Sequence, residues 1–347
     1  MSDPSPITVL IAGIAGASLG TEIAKSLRNA GGYRVLGCDI NPLAYGHFDQ
    51  AFDETFNADP NAYIESVLRI ARENAVRVLV PGGEVPAKLL AAAAEIFTAS
   101  NIILAQNSPE VARVAGDKAA CFERLAALGI AIPETRAIAE VGDLCGIPMP
   151  SIIKPSIASG GSSFVFFARS HEEASLYATY LLRNNLAPLA QSYIPEAKGE
   201  FTVGVLSNPN GTTEGVIALR RSFNAKLSVM TRGKDFLISS GYTQGRIEAF
   251  PEICASAQRI AEGLDSRGPL NVQGRVDADG QFIPFEINPR FSASTYLRTL
   301  AGFNEVDHFI RTLLKLPPRA TLEARPGWYL RSLTETLSNA ADIAGAT

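Results

Sequence analysis

The stretch that decides the fold is NVQGRVDADGQFIPFEINPR, residues 271–290. Asp279 and Gly280 at its centre favour a two-residue type I′ hairpin turn, because that turn needs residues that tolerate positive φ. This turn places Gln273 opposite Glu286 on neighbouring antiparallel strands. Side chains alternate between the two faces of a strand. The side chains that we therefore expect on one face are Asn271, Gln273, Glu286 and Asn288.

Four oxygen-bearing side chains on one face predict a metal site. Carboxylate and amide oxygens, without His or Cys, suit a hard cation such as Mg²⁺, which keeps coordination positions open for substrate phosphates. Arg290 follows closely and is placed to meet the same phosphates. Val272, Phe285 and Ile287 are expected on the opposite face, toward a core. The structural alternative is an amphipathic hairpin whose polar face is solvated.

The composition indicates a chain with a large core and little excess charge. It has 347 residues, of which 46% are hydrophobic, and a net charge of −4 at pH 7. This length predicts two or three domains, and the acidic balance argues against nucleic-acid binding, which depends on phosphate neutralisation. The cysteines are far apart and form no CxxC pair, which fits a reducing compartment. No segment approaches the roughly 20 apolar residues of a membrane span. We expect a soluble, cytoplasmic protein without a membrane partner.

Strands and helices alternate along the first 110 residues. The strand-like apolar runs are Ile7–Ala12, Tyr33–Asp39, Val76–Pro81 and Ile102–Ala105. The helical patterns between them cover residues 17–30, 62–74 and 85–100. Continuous apolar strands separated by helices predict a parallel sheet covered on both faces, which is an αβα domain.

The pattern changes to α+β from about Val111. The helices predicted there cover residues 117–128, 172–184, 253–265 and 306–316, and the strands cover 151–154, 187–205 and 213–219. Residues 220–246 mix polar, basic and glycine residues, a composition typical of a mobile or ligand-facing loop.

A glycine cluster follows the first strand. Gly13, Gly16 and Gly20 precede Asp39 at the end of the next strand, which resembles a dinucleotide-binding fingerprint with altered spacing. Two other interpretations stay open. A tight strand-to-helix turn favours glycine in any case, and the free N–H groups of a helix N-terminus bind other anions, such as a substrate carboxylate.

The hairpin resembles the metal-binding hairpin of ATP-grasp enzymes. It is most similar to the carbamoyl-phosphate-synthetase large-subunit type, in which an Asn-x-Gln strand precedes Glu-x-Asn-Pro-Arg. Further segments resemble family motifs in the family's order between about Val111 and Leu316. The nucleotide-binding positions that the resemblance assigns are Lys118, Lys154, a glycine-serine loop at Ser159, Gly160, Gly161 and Ser162, a hinge at Gln191, Tyr193 and Ile194, and a ribose-binding acid, Glu200.

The resemblance implies an α/β chain in which a parallel αβα domain precedes a two-lobed ATP-grasp (α+β) fold. The implied boundaries are residues 1–110 for the N-terminal domain, 111–192 for the small lobe, 193–320 for the large lobe and 321–347 for a C-terminal tail.

The resemblance also implies the chemistry of an ATP-dependent carboxylate–amine ligase. The γ-phosphoryl group of ATP passes to a small carboxylic acid, and an amine attacks the acyl phosphate, so that ADP and phosphate are released. The implied ligands of Mg²⁺ are Gln273, Glu286 and Asn288, and the implied catalytic residues are Lys154, Asn288 and Arg290.

Amino acids or small peptides are the preferred substrates. The side chains expected to contact them are Arg220, Arg221, Arg232, Ser294 and Thr295. A homodimer is one assembly that the sequence allows.

Three other functions are kept open. The first is phosphorylation of bicarbonate or carbamate, as in carbamoyl-phosphate synthetase. The second is an NAD(P)-binding oxidoreductase built on the N-terminal glycines. The third is a non-catalytic ATP-binding module, against which the intact set of Lys, Glu and Asn side chains argues.

Overall fold

The structure is a computed structural model, and it describes residues 5–15, 19–157, 164–196, 198–223, 230–239, 242–332 and 334–335. Its N-terminal part is a five-stranded parallel sheet in the order β3-β2-β1-β4-β5. The strands are β1 (Ile7–Ala12), β2 (Tyr33–Asp39), β3 (Glu54–Asn57), β4 (Val78–Pro81) and β5 (Ile103–Leu104), and the helices are α1 (Leu19–Ala30), α2 (Tyr63–Glu73), α3 (Glu84–Ala92) and α4 (Ala94–Ala99). The predicted parallel αβα architecture is confirmed.

Both faces of this sheet are covered, as the continuous apolar strands predict. Val9 and Ile11 of β1 pack in one core with α1. Leu10 and Ala12, which point the other way, pack with α2, α3 and α4. The apolar run 85–100, predicted as one helix, forms two helices that meet at Ala93.

A four-stranded antiparallel sheet with its own core follows. Its order is β6-β9-β7-β8. The elements are β6 (Thr135–Ala137), β7 (Ser151–Pro155), β8 (Phe166–Ala168), α7 (His171–Arg183) and β9 (Pro188–Ser192), and this sheet is preceded by α5 (Pro109–Gly116) and α6 (Lys118–Ala127). Ile153 and Ala190 of this sheet pack against Leu181 of α7. The strand predicted over 187–205 is divided, because the chain leaves this small sheet after Ser192.

The third sheet has six strands in the order β16-β15-β10-β11-β14-β17, and each neighbouring pair is antiparallel. Its elements are β10 (Glu200–Ser207), β11 (Thr213–Arg221), β14 (Gly245–Ile247), α8 (Pro251–Gly263), β15 (Pro269–Val276), β16 (Phe282–Asn288) and β17 (Gly327–Tyr329). A separate hairpin joins β12 (Met230–Arg232) to β13 (Leu237–Ser239). The helices α9 (Thr295–Leu300) and α10 (Glu305–Leu313) follow β16. No helix in the described ranges combines the length and apolar character that crossing a membrane requires.

The packing does not follow the predicted boundaries in three places. Helices α5 and α6, assigned from sequence to the small lobe, share a core with β10, β15 and α8 of the large sheet. Phe291, just beyond β16, and Phe309 of α10 join the core of the N-terminal sheet. The predicted tail 321–347 contains β17, an edge strand of the large sheet.

The segment 220–246, predicted as a loop, contains the strands β12, β13 and β14. The sequence did not predict these short strands because they carry little apolar periodicity.

The metal hairpin has the predicted register at the site, although its turn differs from the prediction. Gln273 pairs with Glu286, as expected. The turn is not type I′, since Gly280 has a φ of +88° and Asp279 has no positive φ. The Asp277 N–H donates to the Gln281 carbonyl, so the loop between them has three residues. With no other irregularity, this three-residue loop would shift every cross-strand pair by one residue from the predicted register.

A β-bulge removes that shift. Gln273 pairs with Glu286, but Gly274 pairs with Pro284, so Phe285 has no residue opposite it. An extra residue reverses the alternation of side chains along a strand. Phe285 consequently lines the central cleft beside Glu286, and its predicted place in the core is wrong.

Candidate active site

The paired ends of β15 and β16 form the floor of the candidate site. Gln273 Nε2 donates to Oε2 of Glu286 at 2.9 Å, so two of the three predicted metal ligands lie side by side. Asn271 has another role, because its Oδ1 accepts from the Arg298 guanidinium at 2.7 Å and from the Thr202 hydroxyl at 2.9 Å. These contacts fix the end of the sheet and engage the Asn271 oxygen.

The amide of Asn288 tests the metal prediction. This side chain is 5% exposed, and its Oδ1 accepts from the Arg290 guanidinium at 3.3 Å. Its Nδ2 has no hydrogen-bond partner among the described residues. A buried polar atom without a partner is costly, and the two ends of an amide are assigned from their partners. The free Nδ2 is a donor, so Asn288 would bind a cation through Oδ1, in place of its contact with Arg290.

The donor set that results is Gln273, Glu286 and Asn288, with one carboxylate and two amides. Hard oxygen donors fit Mg²⁺. The described part of the chain holds no cluster of three or more His, Cys, Asp or Glu side chains. A magnesium ion here would therefore depend on amide oxygens and on the phosphates of a bound nucleotide.

Lys154 reaches the same floor from β7 of the small sheet. It is 7% exposed, and its Nζ donates to Oε1 of Gln191 at 2.8 Å and to the Phe285 carbonyl at 3.1 Å. Burial, with the neighbouring charge of Lys118, lowers the pKa of Lys154 to about 8, although Glu286 acts in the opposite direction. Both oxygen partners of this ammonium are neutral, so an anionic ligand would stabilise its charge strongly.

Lys118 and Arg290 complete a group of cations around Glu286. Lys118 begins α6, where a cation opposes the helix dipole. Burial lowers the pKa of Arg290, and the carboxylates of Glu84 and Glu286 act against that shift. Within the described ranges neither Lys118 nor Arg290 forms an ion pair. The positive charge of these two groups is therefore available to an anionic substrate.

Glu84 is a site residue that sequence reasoning missed. It begins α3 and lines the cleft together with Lys118, Lys154 and Glu286. It follows Gly82-Gly83 at the carboxyl end of β4, and ligands of open parallel sheets bind at the carboxyl ends of the strands. The place of Glu84 directly after a strand of the parallel sheet was the sequence feature that could have predicted it as a site residue.

The predicted hinge lines the far end of the same cleft. Gln191, Tyr193 and Ile194 lie there with Lys154. The Gln191 amide donates to the Thr135 hydroxyl at 3.1 Å, so its oxygen is oriented toward Lys154. Burial raises the pKa of Tyr193.

Arg275 is hydrogen-bonded to the hinge, and the sequence did not predict this role. Its guanidinium donates to the Ile194 carbonyl at 2.5 Å and to the Leu237 carbonyl at 2.7 Å. It also lies 5.0 Å from the centre of the Tyr193 ring. Arg275 is the next residue after Asn271 and Gln273 in the alternation along β15. This spacing was the sequence feature that could have predicted its place near the site.

Glu200 occupies a different environment from the one expected of a ribose-binding acid. Its carboxylate accepts from Arg221 at 2.6 Å and from Arg275 at 2.8 Å. A hydrogen bond from the Ser239 hydroxyl also reaches it, at 2.5 Å. Glu200 is 1% exposed, so it forms a buried ion cluster that joins β10, β11 and β15. The ribose contact stays a prediction.

Three of the five predicted substrate-contacting residues line one cavity, Arg220, Arg221 and Arg232, and this cavity is separate from the cleft that Lys154 lines. Within it Arg221 is paired with Glu200. Ser294 and Thr295 are fully buried, and the Thr295 hydroxyl donates to Glu305 at 2.8 Å. A role in substrate binding stays a prediction for all five.

Two further predictions concern glycine segments. The loop at Ser159, Gly160, Gly161 and Ser162 lies outside the described residues. In the N-terminal cluster, Gly16 also lies outside them. A Cβ on Gly20 would come within 2.0 Å of the Gly13 carbonyl oxygen, so close packing accounts for both glycines.

Asp39 supports the same N-terminal loop. Its two oxygens accept from the backbone N–H groups of Ile14, at 2.7 Å, and of Asn41, at 3.0 Å. Structural roles therefore account for Asp39, Gly13 and Gly20 without a dinucleotide.

The parallel αβα domain, the small sheet and the large sheet, which face each other across Lys154 and Glu286, have the arrangement of the ATP-grasp fold, as the sequence predicts. Residues 197–336 match the model of a family described as ATP-grasp in the biosynthetic pathway with Ter operon. No curated protein sequence matches the chain.

Solved structures with the same fold include three enzymes of low sequence identity. An L-amino acid ligase from Bacillus licheniformis is 15% identical, with a TM-score of 0.68, and the match covers 90% of this chain and 75% of that one. The biotin carboxylase domain of a Hydrogenobacter thermophilus 2-oxoglutarate carboxylase, solved with MgADP, ADP and bicarbonate, is 18% identical with a TM-score of 0.68 and coverages of 92% and 72%. N5-carboxyaminoimidazole synthetase from Staphylococcus aureus, solved with ADP, is 16% identical with a TM-score of 0.67 and coverages of 93% and 80%. The prediction of an ATP-grasp enzyme of the ligase class agrees with these matches.

Proposed function

We propose that this protein is an ATP-dependent ligase that joins a small carboxylic acid to an amine through an acyl phosphate. One observation carries the proposal. Lys118, Lys154 and Arg290 surround Glu286, which lines both the cleft that contains Lys154 and the adjoining cavity that contains Arg290, and within the described ranges Lys118 and Arg290 form no ion pair. Such an arrangement suits a polyphosphate and a second anion held close together.

Mg²⁺ is the metal that the donor set fits. Gln273, Glu286 and Asn288 would hold it, and when bound it would neutralise phosphate charge during phosphoryl transfer.

The chain's own residues supply positioning and charge. Lys154, at the foot of the hinge, and Lys118 bind phosphate oxygens, and Arg290 orients the substrate carboxylate toward the γ-phosphorus. A carboxylate oxygen forms a bond to that phosphorus as the bond to the ADP oxygen breaks. The amine then attacks the carbonyl carbon as the free base, phosphate leaves with the transferred carboxylate oxygen, and the nitrogen loses one proton to solvent. Stabilising the charge on the transferring group is the main demand of such a step.

A coupled assay tests the proposal. Amino acids and other small carboxylic acids are paired with amines and screened for substrate-dependent ADP release, and bicarbonate is included as the alternative acid. With a carboxylate labelled by oxygen-18, one labelled oxygen should appear in the released phosphate. Formation of the amide with unlabelled phosphate would refute the acyl-phosphate step.

Glu286→Gln gives a matched test of the site. We expect kcat to fall by at least about a hundredfold, because the variant lacks the carboxylate that would hold Mg²⁺ beside the phosphates. The exposed Glu252 lies in the first turn of α8 and does not line the cleft, so the control variant Glu252→Gln should retain full activity. Equal activities of the two variants would exclude Glu286 from the chemistry.

We place this reaction in the cytoplasm. All four cysteines are free thiols, and Cys38 and Cys121 are buried, which fits a reducing compartment.

A further inference from the structure

A second cavity, of about 480 Å³, opens beside the cation cluster. It lies between α3 of the N-terminal domain and α5, and Glu286, Ile287 and Asn288 of β16 form part of its floor. Glu84, Lys118 and Arg290 line the side next to the cation cluster, which we call the mouth of the cavity. Pockets for small molecules typically have volumes of roughly 300–1,000 Å³, so this cavity has room for a substrate.

The walls of this cavity are apolar and made largely of small residues. The wall residues are Val85, Ala87, Ala91, Ala112, Ala115 and Ile157. Val85 and Ile157 are 63% and 54% exposed, so no side chain in the described ranges covers these large apolar groups. An apolar ligand group would cover them and gain the free energy of burial.

The closed end offers little to a polar ligand. The Asn107 amide donates to the Ser266 hydroxyl at 2.8 Å and to the Pro269 carbonyl at 3.1 Å, and its oxygen accepts from the Arg267 N–H at 2.9 Å. The exposed Lys88 and Arg113 stand at the rim, where Arg113 is paired with Glu110 at 2.7 Å. A polar side chain placed deep in this cavity would lose its hydrogen bonds to water without replacement.

Charge of both signs is available at the mouth. The Glu84 carboxylate forms no ion pair with any of the described residues, and Arg290 is near enough for the two charges to influence each other. A carboxylate beside unpaired cations matches a molecule that carries an ammonium group next to a carboxylate.

We propose that this acceptor cavity, defined by the six wall residues above, binds the apolar side chain of the amine substrate, and that Glu84 binds its ammonium group, which loses one proton to solvent before the nitrogen attacks as the free base. The inference rests on the proposed ligase function and gives its amine a chemical class, that of amino acids with aliphatic or aromatic side chains. The cavity adjoins Arg290, so a ligand seated there has its nitrogen beside the position proposed for the acyl phosphate.

Binding measurements test this inference separately from turnover. Leucine, phenylalanine, serine and glutamate are titrated by calorimetry into the full chain with Mg²⁺ and a non-hydrolysable ATP analogue. We expect leucine or phenylalanine to bind at least about tenfold more tightly than serine, because each methylene in an apolar pocket contributes roughly tenfold or more. Equal affinities for leucine and serine, or no binding of any probe, would overturn the inference.

Narrowing the cavity is the second test. Ala112→Leu and Ala91→Leu add bulk from opposite walls, and each should weaken leucine binding at least about tenfold. Ala126→Leu adds the same bulk on an exposed position of α6 outside the cavity and should change nothing. Unchanged affinity for the ATP analogue shows that a variant is folded. Two wall variants are made so that the test can still be carried out if one of them does not fold. Unaltered leucine binding in a folded wall variant would refute the acceptor cavity.

Glu84→Gln tests the ammonium contact, and its leucine affinity should fall about tenfold while its ATP-analogue affinity is retained. An unchanged leucine affinity would refute the role of Glu84. If apolar amino acids bind in this way but no carboxylate–amine pair releases ADP, the cavity stands and the ligase proposal fails.

Discussion

The Nζ atom of Lys154 lies 2.8 Å from Oε1 of Gln191, an uncharged partner from the adjacent strand of the small sheet. The other oxygen that it contacts is the Phe285 carbonyl. A buried ammonium held by neutral oxygens titrates at a lower pH than a free lysine, and the pKa of Lys154 is lowered to about 8. Its charge is therefore sensitive to any anion that enters the cleft.

ATP binding should take up a proton near pH 8. At that pH about half of the free protein carries an uncharged Lys154, and the phosphates of ATP would raise its pKa and complete its protonation. Calorimetry in two buffers of different ionisation enthalpy measures the uptake, which should approach about half a proton at pH 8 and vanish near pH 6. Lys154→Met should remove it. An equal uptake in that variant would place the proton on another group.

The same shift affects stability at alkaline pH. Because the folded pKa is below the unfolded value of 10.5, the unfolded chain binds more protons between about pH 8 and pH 10.5, and the free energy of unfolding should rise with pH across this window. One proton gives a slope of at most about 1.4 kcal/mol per pH unit. Urea unfolding at several pH values should show a steeper rise in the natural chain than in Lys154→Met. Parallel curves would contradict the lowered pKa.

Glu200→Gln distinguishes a structural role from a ribose contact. The change leaves Arg221 and Arg275 buried without their carboxylate, and breaking a buried ion pair costs about 3–5 kcal/mol. The free energy of unfolding without ATP should therefore fall by that amount. Glu123→Gln, on the exposed side of α6, is the control and should have an effect below about 0.5 kcal/mol. If Glu200→Gln weakens ATP binding at unchanged stability, the ribose contact is its role.

Gly274→Ala tests the bulge that sets the register. A Cβ at this position would lie 2.5 Å from the Phe282 ring and 2.6 Å from the Ile283 carbonyl oxygen. We expect a loss of about 1–3 kcal/mol in the free energy of unfolding and a marked loss of ATP affinity, since Glu286 would lose its position beside Gln273. Gly280→Asn in the turn is the comparison, because asparagine tolerates positive φ and nothing lies near that glycine. Unchanged ATP binding by Gly274→Ala would show that the site tolerates another register.

The residues of β15 and β16 show what the sequence determines. The pairing of Gln273 with Glu286 was predicted correctly although the turn was placed one residue too short, because the bulge at Gly274 offset the error. A bulge depends on packing between strands, so local sequence does not reveal it. For the same reason the orientation of Phe285 was wrong.

Residues that act across elements were the hardest to predict. Lys118 and Lys154 were predicted because their segments resemble ATP-grasp motifs. Glu84 reaches the site from another domain, and Arg275 donates hydrogen bonds to two backbone carbonyls far away in the sequence. Neither role is marked by a sequence motif. The ion cluster around Glu200 likewise depends on partners that are 21 and 75 residues away.

The entry of Phe291, Val306 and Phe309 into the core of the N-terminal sheet has a consequence for how the molecule opens and folds. Truncation at residue 110 would expose these apolar side chains to water, so the first 110 residues and the strand bearing Glu286 form one cooperative unit. The small sheet has a separate core and does not belong to that unit. A displacement of the small sheet would therefore carry Lys154, the hinge and Ile157, while Glu84, Arg290 and the cavity walls on α3 and α5 would keep their mutual geometry.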